Sequence, residues 1–419
     1  MVCEFNPKES NGIENSGISP KLADDITAKP IPIILFSDIL IHRLLQFVCQ
    51  LRYNMLSLAS LMRNYLYILL ATIASLLFAE HHSTNKRTAT IAKPLVKSDT
   101  VRLVFGGDLM QHLPQVEAAQ TDDGGYDYTR SFEHIAPMFR SADIAVVNLE
   151  TTIDTTGRYS GYPCFASPVE LVHEMVDMGI DILLLANNHC CDRGARGIGT
   201  TIDRLSRAEI AHTGAYCDSA DYAANNVLLV ERSNIRFAFI NYTYATNGIP
   251  TPKGRIVNRI DTTLIKRDIA TIKGDSVDCV VACMHWGNEY QRHPSKEQRL
   301  LHELLRREGV DIVIGSHPHV AQPYEADSTH VVFYSLGNLV SNQQRRYRDG
   351  GVIAEIEVVR CDTVEGLRFK TTAHPVWVLC PDYRILPRSV GDTLTMPAYS
   401  RELYQRFMED TEQLLWGDN

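Results

Sequence analysis

Short apolar runs recur from residue 101 onward, at 101–105, 144–147, 182–186, 237–240, 279–284, 312–314 and 331–334, and several stop abruptly at polar side chains. Runs of this length, rich in Val and Ile, read as strands buried on both faces. Between them lie amphipathic stretches of helical period, such as 168–177, 200–206 and 296–308. Strands alternating with helices predict an α/β fold. Residues 351–359 alternate polar with apolar side chains, which predicts a strand near a sheet edge. No fixed period repeats, which argues against a solenoid or propeller.

Five polar motifs follow such runs directly: Gly107-Asp108-Leu109-Met110, Asn148-Leu149-Glu150, Asn187-Asn188-His189, His285-Trp286-Gly287 and Gly315-Ser316-His317-Pro318-His319. In α/β folds the loops at the carboxyl ends of strands converge on the ligand site, while the strand bodies stay in the core. Taken singly, several motifs have a plain structural explanation. Gly106-Gly107-Asp108 reads as a tight turn, Asn148-Leu149-Glu150 as a helix cap, and His285 as a hydrogen-bonded core histidine. Asn187-Asn188-His189, however, carries three polar side chains where a turn needs one, and His317-Pro318-His319 sets two imidazoles about a rigid proline. Chance does not place carboxylates, amides and imidazoles repeatedly on the same end of successive strands. The donor set suits two divalent metals.

With 419 residues, 45% of them hydrophobic, the chain can form one large domain or two ordinary ones. Its formal net charge of -9, without a basic stripe, argues against nucleic acid as a partner. Residues 1–32 are polar and aperiodic and read as disordered. Residues 33–51 are apolar but broken by Asp38, His42, Arg43 and Gln46, a pattern closer to an amphipathic helix than to a membrane span. Met62-Arg63-Asn64 then leads into an uncharged run that ends at Ala79, before Glu80-His81-His82, the layout of a secretory signal. The expectation is that the natural chain starts at Met62 and that residues 1–61 are a non-native or disordered extension. Residues 62–79 would form a signal peptide or a membrane anchor, 80–99 a linker, 100–390 the main domain and 391–419 a helical tail. Leu77, a poor residue three before the presumed cut, keeps an uncleaved anchor open. Either form implies export, with the protein periplasmic or anchored and facing outward. Ten cysteines raise the question of disulfides, yet Cys190 and Cys191 are adjacent and Cys279 and Cys283 share one predicted strand. Buried thiols are expected rather than a disulfide framework.

Taken together, these motifs resemble the bacterial capsule synthesis family called CapA, which includes poly-γ-glutamate biosynthesis proteins. The residues that carry the likeness are Gly107-Asp108-Leu109-Met110, Asn148-Leu149-Glu150-Thr151, Ala186-Asn187-Asn188-His189 with Asp192 and Gly194, His285-Trp286-Gly287 with Glu289-Tyr290, Gly315-Ser316-His317-Pro318-His319 with Gln322, and Tyr334-Ser335-Leu336-Gly337-Asn338. It runs from about residue 101 to 359. That family is in turn similar to the calcineurin-like metallophosphoesterases, so the resemblance implies a four-layer α/β/β/α sandwich, metallo-dependent phosphatase-like, with a metal centre. Carried over by residue, it implies Asp108 and His319 on a first cation, Glu150 as the bridge, and Asn188, His285 and His317 on a second. His189 would be the general acid or a phosphate contact. Where the phosphoesterases have Asp-x-His, this chain has Met110, a poor ligand for Mn²⁺ or Mg²⁺. Either His112 substitutes, or the first cation is weak or missing.

The chemistry needs such a set. A bridging carboxylate with mixed ligands holds two cations roughly 3.5–4 Å apart and clamps both oxygens of an in-line displacement. A nearby imidazole that protonates the leaving group adds about 10²–10⁴-fold. Arg158, Tyr162 and Tyr290, in adjacent loops, are candidate contacts for an anionic or sugar-like polymer. Two functions are expected as alternatives. One is a capsule or poly-γ-glutamate type polyanion biosynthesis protein with one or two Mn²⁺ or Mg²⁺ ions, hydrolysing a phosphoester or a polymer linkage. The other is a non-catalytic assembly or export factor with at most one structural metal. The implied partners are an anionic capsular polymer or its precursor and a membrane-embedded synthase complex.

Overall fold

The structure, a computed structural model, describes residues 99–273, 276–360 and 365–417. The expected extension, the signal or anchor segment and the linker up to residue 98 lie outside the described residues, and Asp99 already opens the first strand. One sheet contains β1 (Asp99–Leu109), β2 (Ile144–Leu149), β3 (Ile182–Leu184) and β4 (Ala211–Thr213), all parallel. Two short strands, β5 (Ala215–Tyr216) and β8 (Ile256–Val257), pair with each other. A second sheet is built on β7 (Ile235–Thr243), β9 (Cys279–His285), β10 (Ile312–Ser316) and β12 (Val331–Phe333), also parallel. Its antiparallel edges are β6 (Leu228–Arg232) and β11 (Tyr324–Ala326). The first sheet is completed by β13 (Asn338–Val340), parallel to the end of β1, and by antiparallel β14 (Gly350–Arg360), β15 (Leu367–Leu379) and β16 (Arg384–Pro387).

Period-two side-chain alternation turns these sheets into layers. Val101, Leu103 and Phe105 of β1, with Ile144, Val146 and Ile182, pack against Phe237, Phe239, Val281, Cys283, Ile312 and Ile314 of the other sheet. The intervening residues Val104, Ala145, Val147 and Leu183 face Phe139, Leu171, Met175, Ile198 and Leu205 on the outer helices. On the far side Ile240, Val280, Ala282 and Val313 lie against Ile265, Ile269 and Leu305. The order is helix, sheet, sheet, helix: a four-layer α/β/β/α sandwich. The Lys296–Glu308 helix illustrates how local sequence sets its ends. Ser295 and Gln298 form a reciprocal capping box, and Gly309 closes the helix at φ +97°.

β14 does not lie at an edge. It runs between β1 and β15, and its polar residues alternate because Glu355 makes a half-buried ladder with Arg102 (2.7 Å) and His374 (3.0 Å) on the outer face. The Ala398–Trp416 helix buries Tyr404, Phe407 and Met408 on Trp377 and Leu386. Among the described residues no helix is long and apolar enough to cross a membrane. The seven described cysteines are free thiols.

One core helix carries a titratable fault. Glu174, on Glu170–Asp177, is 6% exposed and receives a 3.3 Å hydrogen bond from Thr129 Oγ1. Burial pushes its carboxyl up from 4.5 to about 7. Between those values the folded chain keeps a proton that the unfolded chain releases, so stability falls as pH rises through that window. Glu174→Gln is therefore expected to match the parent at pH 4 and to be more stable by roughly 1–2 kcal/mol at pH 8, read from denaturant midpoints.

Candidate metal centre

The strand ends deliver the side chains. At the end of β1, a Cβ on Gly107 would lie 2.1 Å from the Gly337 carbonyl oxygen. Only glycine permits this approach, through which the Asp108 N–H donates to that same oxygen at 2.9 Å. Asn148, on the neighbouring β2, donates from Nδ2 to Asp108 Oδ1 at 2.8 Å. β9 ends at His285 and β10 at Ser316. Beyond β10, His317 and His319 adopt φ of +96° and +57°, a strained setting for histidine that costs on the order of 1–3 kcal/mol. The geometry turns the His317 N–H onto Asp108 Oδ2 at 3.2 Å and brings His319 Nδ1 to 3.1 Å from the same oxygen.

Two ligand groups result, Asp108/Glu150/His285 and Glu150/His317/His319, all buried, with the donor atoms of each within 4.8 Å of one another. Glu150 belongs to both. Its Oε1 lies 3.8 Å from His285 Nε2 and 3.8 Å from His319 Nε2. Neither Glu150 oxygen has a hydrogen-bond partner, and neither has His317 Nδ1. Burial, and then the Asp108 charge, drive the Glu150 carboxyl well above its usual range. Burial, and then the neighbouring imidazoles, push His285 well down, and burial first and then His319 push His317 down to about 4. Buried polar atoms without partners are costly, and a divalent cation satisfies carboxylate and imidazole together. The residues present fit such an ion.

Asn188 Oδ1 lies 2.8 Å from His285 Nε2, and Ser316 Oγ lies 2.9 Å from its Nδ1. In this arrangement Nε2–H donates to Asn188 Oδ1 while Nδ1 accepts from the Ser316 hydroxyl; a cation held by Nε2 would call for the other tautomer, with Nδ1–H directed to the serine. His189 stands beside this group. Its Nδ1 is 2.7 Å from Asp192 Oδ2, the oxygen that also accepts the Phe165 N–H at 2.7 Å, while Asn247 Nδ2 lies 3.3 Å from its Nε2.

These motifs all fall within residues 102–343, the span that matches the family model described as bacterial capsule synthesis protein PGA_cap. The chain belongs to this family. The capsule biosynthesis protein CapA of Bacillus anthracis is 28% identical over 328 residues, covering 72% of this chain and 77% of its own. The PGA biosynthesis protein CapA of Bacillus subtilis is 29% identical over 269 residues, covering 62% and 69%. Among solved structures, the calcineurin-like phosphoesterase YfkN from Bacillus subtilis aligns at 11% identity and a TM-score of 0.39, over 75% of this chain and 98% of its own.

In this PGA_cap protein Met110 is 2% exposed, with its sulfur 4.0 Å from Gln343 Nε2. His112 belongs to neither ligand group. Its Nδ1 lies 3.2 Å from Gln115 Oε1 and 3.3 Å from the Asn342 backbone nitrogen, at the start of the Leu113–Ala118 helix. Tyr290 is at the centre's mouth, its ring 6.1 Å from the His319 imidazole. Arg158 and Tyr162 are exposed, and Arg158 is tied in through its carbonyl, which accepts from Arg193. Sequence reasoning missed Tyr244, whose ring lies 4.3 Å from that of His317, although it follows β7 just as the other motifs follow their strands. It also missed Asn247 beside His189, and it placed Asn338 in a motif without giving it a role, although Asn338 Oδ1 lies 3.1 Å from His319 Nδ1.

Proposed function

We propose that this chain acts in the biosynthesis of a capsule or poly-γ-glutamate type polyanion at the cell envelope, as an exported or outward-facing anchored protein. Its buried centre holds one or two divalent cations, Mn²⁺ or Mg²⁺, and hydrolyses a phosphoester or a linkage of the polymer or its precursor. The observation that carries this reading is Glu150: a fully buried carboxylate with both oxygens unpartnered, common to two groups of imidazole and carboxylate donors. Asp108, Glu150, Asn188, His285, His317 and His319 would hold the ions, and the oxygen and imidazole donors suit Mn²⁺ in particular. The bound cation supplies Lewis-acid polarisation and charge neutralisation at the scissile centre.

The remaining work falls to the chain's own groups. Asp192 keeps the proton of neutral His189 on Nδ1 and stabilises the imidazolium, so that Nε2 can carry a proton to the leaving group. Tyr244 and Tyr290 flank His317 and His319 with apolar ring faces, which limit water and position the substrate. Arg158 is a candidate contact further along the polymer, and a membrane-embedded synthase complex is the partner this role calls for.

Met110 favours a second reading, an assembly or export factor with at most one structural metal, because the first motif lacks the imidazole of the phosphoesterase pattern. Elemental analysis after loading with Mn²⁺ and desalting tests both readings. Two ions per chain, with hydrolysis of a phosphoester or of the polymer, are expected. One ion without turnover supports the assembly reading, and none refutes the metal centre.

A further inference from the structure

The 341–349 loop carries Arg345-Arg346-Tyr347-Arg348 in a chain whose net charge is -9. It is fastened to the metal centre. The Asn338 amide donates to the Arg348 carbonyl at 2.8 Å, while its Oδ1 lies 3.1 Å from His319 Nδ1. The Arg348 guanidinium carbon sits 4.0 Å from the centroid of the Tyr290 ring, which in turn lies 6.1 Å from the His319 imidazole. Tyr290 and Tyr347 both hold left-handed backbone, φ +67° and +73°, a cost borne where surrounding contacts fix the rings in place.

The four arginines here divide by partner. Arg346 pairs in a bidentate fashion with Asp410, at 2.8 Å for each bond, and Arg292 donates to the Asp410 carbonyl at 2.7 Å. Both stack on Tyr347, at 4.8 and 4.1 Å, and so brace the loop. Among the described residues no carboxylate comes within ion-pair distance of Arg345 or Arg348. Arg345 is exposed and Arg348 half-buried against Tyr290. Glu289, exposed on the preceding residue, approaches the Tyr290 hydroxyl without an ion pair to either arginine. Arg348, stacked on Tyr290, and Arg345, whose carbonyl accepts the Arg348 N–H at 2.9 Å in the same turn, are too few for nucleic acid, but a guanidinium fork matches a carboxylate in two parallel hydrogen bonds.

We propose that Arg345 and Arg348, backed by Tyr290, form a carboxylate-binding subsite that holds an acidic residue of the polymer next to the one at the metal centre. This rests on the polyanion role above and names the groups that read its charge. The test is fluorescence anisotropy of the full metal-loaded chain with a labelled oligo-γ-glutamate of defined length. The same oligomer with amidated carboxyls is the control, and metal content is measured on every variant. Arg345→Gln/Arg348→Gln is expected to weaken binding of the acidic oligomer by about tenfold or more at low salt, with metal content unchanged and little effect on the amidated oligomer. Arg348→Lys should recover only part of the loss. Equal affinity in the parent and the double variant, or an equal fall for the amidated oligomer, overturns the subsite. Tighter Arg348-dependent binding of an inorganic polyphosphate of equal charge overturns the carboxylate assignment. Because the readout is binding, a parent that holds the oligomer through these arginines and cleaves nothing keeps the subsite while refuting hydrolysis.

Discussion

Glu150→Gln is expected to lower Mn²⁺ uptake from both ligand groups at once and to abolish any hydrolysis, while leaving the metal-free protein at least as stable as the parent. The two halves of this expectation have one cause. Glu150 lies at 0% exposure between His285 and His319, with no hydrogen bond to either oxygen. Its negative charge is useful only to a cation, and without one it is a desolvated acid that burial drives toward the protonated form. Glutamine keeps the shape and removes the charge, so the apo fold loses nothing electrostatic. With the carboxylate gone, neither group retains the donor it shares with the other, and affinity should fall by at least about 100-fold. Elemental analysis paired with apo and Mn²⁺-loaded melting curves checks both halves. The parent should gain stability with Mn²⁺ and the variant should not. A variant that still takes up two ions would show that Glu150 is not the shared ligand.

Some of this centre was legible in the chain and some was not, for physical reasons. Strands such as 144–147 and 279–284 are covered on both faces, so they appear as unbroken apolar runs, and the polar motifs at their ends stand out. β15 escapes that reading because one of its faces is half-exposed and carries Lys370, Thr372 and His374, while Thr371 interrupts the apolar residues of the other. The three-residue β13 is too short to show a period, yet it places Asn338 against His319. β14 misled for a related cause: its alternation reflects an ion-paired outer face rather than an edge. Contacts made by return of the chain are the least visible. The Asn342 backbone reaches His112 across 230 residues, and no local pattern announces that the loop after it will carry Arg348 to Tyr290. Strand-end chemistry is local and can be read; the ledge beside it exists only once two distant loops meet.

His189→Ala is expected to reduce turnover by about 10²–10³-fold with metal content unchanged, since His189 is placed to move a proton while lying outside both ligand groups. Its imidazole is held through Nδ1 by Asp192 at 2.7 Å, and it packs edge-on against Phe165 with ring centroids 4.5 Å apart. Asp192→Asn should give a smaller fall. The amide can still accept the Phe165 N–H, but it no longer stabilises an imidazolium. The loss should also depend on the leaving group: severe for a poorly acidic alcohol that needs a proton and slight for a nitrophenolate that leaves without one. That dependence separates proton transfer from a merely structural role, which would lower both substrates alike. A His189→Ala variant that sheds metal would make the residue a ligand. If unchanged polymer output in cells accompanied full metal content, the centre would serve assembly, with Met110 marking where the hydrolytic pattern had been given up.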